Sequence, residues 1–84
     1  MTLILSELCN ALRDAISREG YPSDIIVSAS DFETIRYYFS ERRIGRNKHG
    51  EFLWFDYTRI RPKQHHTVQN KTVDLSDIGI LDQV

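Results

Sequence analysis

The segment Gly45-Arg46-Asn47-Lys48-His49-Gly50 has the outer glycine spacing of a phosphate-cradling loop. Glu51 and Phe52 then stand where that chemistry needs a lysine for the phosphates and a hydroxyl for the metal, so the match fails at its reactive end. A hairpin turn accounts for both glycines. His65 and His66 suggest metal binding, but neighbours in sequence point to opposite faces of a strand and lie about 100° apart on a helix, so they do not close on one ion. His49 belongs to a different segment. Cys9 is the single cysteine, which excludes an internal disulfide or a cysteine-based zinc cage and fits a reducing compartment. It falls on the apolar side of a helical pattern with no nearby histidine to activate it, and reads as a packed, inert thiol. The carboxylates are scattered over polar faces. No enzymatic activity, cofactor or metal is expected.

The chemistry that remains is basic and aromatic. Residues 35 to 63 carry eight Lys or Arg against three Asp or Glu, although the whole chain has a net charge of -1. The nine aromatic side chains all fall between Tyr21 and Tyr57. Arg42, Arg43, Arg46 and Lys48 cluster around one turn. Arg59, Arg61 and Lys63 follow 9 to 13 residues after Gly50, roughly 30 to 40 Å away along an extended strand, which divides the cations into two groups. Aromatic and arginine side chains dominate protein interfaces, and cations with a stackable ring also suit single-stranded nucleic acid.

These residues need elements to hold them. Leu5, Leu8, Cys9, Leu12, Ala15 and Ile16 recur at helical spacing, with Glu7, Asn10, Asp14 and Arg18 opposite, and Gly20 and Pro22 close the helix near Glu19. Ile25, Ile26 and Val27 form a short β-branched run suited to a buried strand. Ser30 and Glu33 have the spacing of a capping box for a second helix, which ends around residues 40 to 42. On it Phe32, Ile35 and Phe39 share one face and Tyr37 points away from them. Asn47 and Gly50 take the first and fourth places of a type I turn, pairing a short strand over residues 43 to 46 with a long one over residues 51 to 61 that Pro62 stops. Residues 67 to 75 supply an extra or edge strand.

The sum is a single α+β domain over residues 1 to 84, with two helices on one face of a three- to four-stranded, mainly antiparallel sheet in the order α-β-α-β-β and a possible additional C-terminal strand. Along the long strand, Leu53, Phe55 and Tyr57 point one way, and Phe52 and Trp54 the other. Leaving the latter two bare would expose roughly 300 to 500 Å², as much as the largest apolar patch of a typical monomer, so they call for a cover. The expected function is a small cytoplasmic protein-binding module whose partner is another protein or a second copy of the chain. Phe52, Trp54 and Tyr37 are its anchors, and Arg42, Arg43 and Arg46 its rim. The alternative is a nucleic-acid-binding module using Arg42, Arg43, Arg46 and Lys48 on phosphates and Tyr37 on a base. MTLILSELCN lacks the leading positive charge of a secretory signal, and no apolar stretch is long enough to span a bilayer, so no membrane association is expected.

Overall fold

Leu8, Leu12, Ala15 and Ile16 lie one above another on the first helix, and all four are buried. That stripe makes Leu5–Arg18 (α1) a surface helix with one face in the core. The computed structural model describes residues 4–39, 43–48, 50–63 and 72–83. Helix α1 ends in a Schellman motif: the Gly20 N–H donates to the Ser17 carbonyl at 3.1 Å and the Tyr21 N–H to the Ile16 carbonyl at 2.9 Å. Gly20, at φ 77°, takes the left-handed turn without strain, whereas Tyr21 at φ 56° is a bulky residue held there at a cost of about 1–2 kcal/mol.

Strand β1 (Asp24–Val27) leads directly into helix α2 (Ala29–Tyr38). The capping residue is Ser28 and not Ser30. The chain is still extended at Ser28 (φ −62°, ψ 155°) and helical from Ala29 onward, so Ser28 is the residue whose hydroxyl can reach back, and it accepts the Asp31 N–H at 3.1 Å. Ser30 sits inside the first turn, its hydroxyl 3.2 Å from that of Ser28. Phe32 and Ile35 enter the core while Tyr37 is 84% exposed, as the periodicity implies. The helix stops at Tyr38. Phe39 is already extended (φ −103°, ψ 148°), and its ring still packs on Phe55 with centroids 6.0 Å apart.

The Asn47 to Gly50 turn joins antiparallel strands β2 (Ile44–Asn47) and β3 (Gly50–Phe55) in the register Ile44↔Leu53 to Asn47↔Gly50. The long strand expected over residues 51 to 61 is divided. Strand β3 ends at Phe55, Asp56 and Tyr57 reverse the chain, and β4 (Thr58–Pro62) runs back beside it, pairing Leu53↔Ile60, Trp54↔Arg59 and Phe55↔Thr58. Asp56 adopts φ 53°, the left-handed conformation that a two-residue hairpin demands and that aspartate tolerates better than most residues. The Thr58 hydroxyl donates to the Pro22 carbonyl at 3.0 Å and fixes the reversal against the start of β1.

Strand β4 then pairs in parallel with β1, and β5 (Thr72–Asp74) pairs in parallel with the other side of β1. The sheet order is β2-β3-β4-β1-β5, with an antiparallel half and a parallel half. The extra strand expected over residues 67 to 75 is β5 from Thr72 to Asp74, its first part, 67 to 71, lying outside the described residues, and the class is α+β. Ile25, Val27, Leu53, Phe55 and Ile60 meet Leu8, Leu12, Phe32 and Ile35 in one cluster, so both helices cover the same face of the sheet. Leu75 and Ile80, the latter opening a 3₁₀ turn (Ile80–Gln83), close the cluster at its end.

The capping assignment has a direct consequence. Ser28→Ala should lower stability by about 1 kcal/mol and Ser30→Ala by less than about 0.5 kcal/mol, read as urea midpoints at constant slope. Equal losses, or a larger loss at Ser30, would return the cap to Ser30.

Candidate functional site

Because side chains alternate along a strand, the residues between the buried ones lie together on the sheet face away from the helices. These are Phe52 and Trp54 on β3, Arg59 and Arg61 on β4, and Asp24 and Ile26 on β1. On β2, Gly45 pairs with Phe52, and a Cβ at Gly45 would collide with the Phe52 ring, so the ring lies across the backbone of β2. Trp54 meets that ring edge-on, with centroids 5.7 Å apart and planes at 83°. The Arg61 guanidinium stands over Phe52 with its Cζ 4.9 Å from the centroid. Arg59 lies 5.9 Å from Phe52 and 5.8 Å from Trp54, within cation–π range of both.

Asp24 holds the two arginines in place. Its carboxylate is buried and accepts Arg59 Nη2 at Oδ2 (2.8 Å) and Arg61 Nε at Oδ1 (3.1 Å). A buried carboxylate is costly unless paired and hydrogen-bonded, and here each oxygen has its own guanidinium. Arg61 Nη1 is buried without a hydrogen bond among the described residues, so the Phe52 ring offsets its desolvation on that side. The face therefore reads ring, cation, carboxylate across three strands.

Two expectations are corrected here. Arg59 and Arg61 are not 30 to 40 Å from the rest of the site, because the turn at Asp56 and Tyr57 folds them back against Phe52 and Trp54. Phe52 needs no helix or second chain for its cover: β2, Trp54 and the arginines leave it 8% exposed. Trp54 keeps 42% exposure.

The other sequence candidates lie elsewhere. Glu51 takes the helix side of β3, where it accepts Arg46 Nη2 at 2.8 Å and pairs with Arg36 of α2. Arg43 stacks over Phe39 with its Cζ 5.1 Å from the centroid, and Lys48 is exposed at the turn. Among the described rings Tyr37 meets Tyr38 edge to face (5.5 Å, 85°) on the outer surface of α2, so the sheet separates it from Trp54. Arg42 lies outside the described residues, as do His49, His65 and His66. Cys9 is a half-buried free thiol packed against the core. The sequence reading missed Asp24, Arg59 and Arg61 as one unit. The period-2 run Arg59-Ile60-Arg61 was the available signal that the two arginines share a face.

At the far end of the face Lys63 pairs with Asp74. The hydrogen bond from the Lys63 ammonium, followed by those from the Ser76 hydroxyl and backbone N–H, holds the Asp74 carboxyl down at about 2, and the same carboxylate raises the Lys63 ammonium. Among the described residues no group of three or more His, Cys, Asp or Glu could hold a metal ion. Among them, too, no helix is long and apolar enough to cross a membrane. Comparison with protein-family models, curated proteins and solved structures finds no match to this chain.

Asp24→Ala strands two partly buried guanidiniums and should cost about 2–4 kcal/mol in denaturant unfolding; a loss under about 1 kcal/mol would show that the carboxylate does not organise the face. Asp74 has a folded pKa below its unfolded one, so its contribution is complete above about pH 4 and fades as pH falls toward 2. Because Asp74 faces water, Asp74→Asn should reduce stability at pH 7 by less than about 1 kcal/mol and flatten the acid limb of the stability profile below pH 4. An unchanged acid limb would refute the assignment.

Proposed function

We propose that the chain is a non-enzymatic protein-binding module of the cytoplasm, docking another protein on its open sheet face with Trp54 as the anchor. The observation that carries this reading is a tryptophan left 42% exposed yet fixed on three sides by Phe52, Arg59 and the strand beneath. A large ring already held in place loses little freedom on binding, the property of an interface hot spot.

Area decides what kind of partner fits. Five strands about 4.8 Å apart and roughly 10–20 Å long present a face of roughly 350 Å², against about 800 Å² per side in a standard stable interface. Self-association through this face alone would therefore be weak, and a foreign partner bound transiently suits it better. Arg59 and Arg61 share the single carboxylate of Asp24, leaving one positive charge in excess beside Trp54. The complementary partner presents an apolar knob next to an Asp or Glu.

The second reading rests on the same ring. An exposed tryptophan flanked by arginine on an open sheet is also a stacking platform for a nucleobase. Pairing counts against it, since on this face Arg59 and Arg61 are bound to Asp24 and Lys63 to Asp74, which leaves only the one excess charge of the arginine pair for phosphates.

A photoreactive phenylalanine analogue in place of Trp54, in the cells the chain comes from, should yield a discrete protein adduct that the same analogue in place of Tyr37 does not, while light scattering of the purified chain at micromolar concentration shows a monomer. Adducts with nucleic acid, together with oligonucleotide affinity that drops steeply with salt, would replace this function by the second reading. Absence of any adduct at position 54 would remove both.

A further inference from the structure

We infer that a second site, a cleft between the end of α1 and the β3–β4 turn, binds a small planar aromatic monocarboxylate. The cleft has a volume of about 420 Å³ and is lined by Arg13, Ile16, Tyr21, Phe55, Asp56 and Tyr57 among others. That size falls within the roughly 300–1,000 Å³ of small-ligand pockets and accommodates a ring with a short acidic arm.

Two independent departures from local preference converge on it. Tyr21 and Asp56 are the two non-glycine residues with positive φ among the described residues, at 56° and 53°, and both line the cleft. Tyr57, in the two-residue turn where small polar residues are favoured, is 94% exposed, and Tyr21 is 75% exposed. Neither ring makes an aromatic contact or side-chain hydrogen bond with another described residue. Strained backbone beside two exposed tyrosines that line one cleft is the pattern of a ligand clamp, not of a packed loop. The floor is apolar, from Ile16 and Phe55, both buried.

The polar groups select the ligand. Arg13 lies over the Phe55 ring with its Cζ 5.5 Å from the centroid and has no carboxylate partner among the described residues. Stacking of that kind orients the guanidinium and leaves its N–H edge free for a bidentate carboxylate. Asp56, which also lines the cleft, repels a second negative charge, which favours a monocarboxylate over a phosphate or a diacid. The tyrosine rings supply the stacking walls for a planar group.

The site is separate from Trp54, which lies on the opposite face of the sheet, so failure of one reading leaves the other intact. The test is amide-resolved NMR titration of the whole chain with indole-3-acetate, indole, tryptamine and inorganic phosphate. Indole-3-acetate should saturate shifts at positions 13, 21 and 55 to 58 and bind about tenfold more tightly than indole, while tryptamine and phosphate bind more weakly than either. Arg13→Gln, an exposed helix position, should abolish the preference for the acid over indole, and Tyr57→Ala should weaken both about tenfold, with shifts elsewhere unchanged. No saturable shift at millimolar indole-3-acetate, tighter binding of tryptamine, or a preference that survives Arg13→Gln would each overturn the assignment.

Discussion

The reversal at Asp56 and Tyr57 is the constraint on which the rest of this molecule depends. It converts one aromatic ribbon into two strands in the register Leu53↔Ile60, and that register decides which side chains meet on each face. A slip of one residue in β4 would send Arg59 and Arg61 toward Leu53 and Phe55 in the core and turn Ile60 out to water. Burying two unpaired guanidiniums costs several kcal/mol each, so the register is strongly specified. The same reversal provides the strand that flanks β1 on one side. Without it Ile25 and Val27, both fully buried, would lack half of their ladder.

Asp24 extends that specification across the sheet. A carboxylate at the first position of β1, buried yet met by one guanidinium at each oxygen, is satisfied only when β1 and β4 are parallel with Asp24 opposite Arg59. A displaced register would leave the charge unpaired in a low-dielectric setting, which is the situation in which a buried polar group penalises the alternative most. The pair of arginines then has a second task. Held by the carboxylate, each keeps its guanidinium within cation–π range of an aromatic ring, so Phe52 and Trp54 are ordered by side chains that are themselves ordered.

How much of this was readable from the residues depended on whether the determinant was local. Helix α1, its stop at Gly20, the exposure of Tyr37 and the hairpin at Asn47 to Gly50 each follow from periodicity or turn chemistry within a few positions, and each stands in the structure. The Asp56-Tyr57 turn was hidden because Asp-Tyr lacks the glycine that marks most two-residue hairpins, and the apolar run continues up to it. Ser28 and Ser30 are chemically equivalent caps, and only the length of β1 chooses between them. The parallel ladders of β1 have no local signature, since they depend on where residues distant in sequence return. The site followed the same rule: Trp54 was readable as a residue needing an explanation, whereas its neighbours Arg59 and Arg61 were set by cross-strand register.

For the docking proposed above, the area of the open face is too small for binding strength to come from burial, which shifts the weight onto order. At roughly 350 Å² the apolar contribution, at about 25 cal/mol per Å² and with only part of the face apolar, amounts to a few kcal/mol, comparable to the freedom two molecules lose when they associate. A loosely held tryptophan would spend that gain on its own immobilisation. Here the ring is backed by Phe52, whose ring Gly45 allows to approach β2 closely, and flanked by Arg59, which Asp24 holds in place. Each layer removes motion from the one above it, so the proposed docking meets a ring that is already ordered. The glycine, the buried carboxylate and the two arginines are thus parts of one device, whose product is a single rigid ring facing solvent.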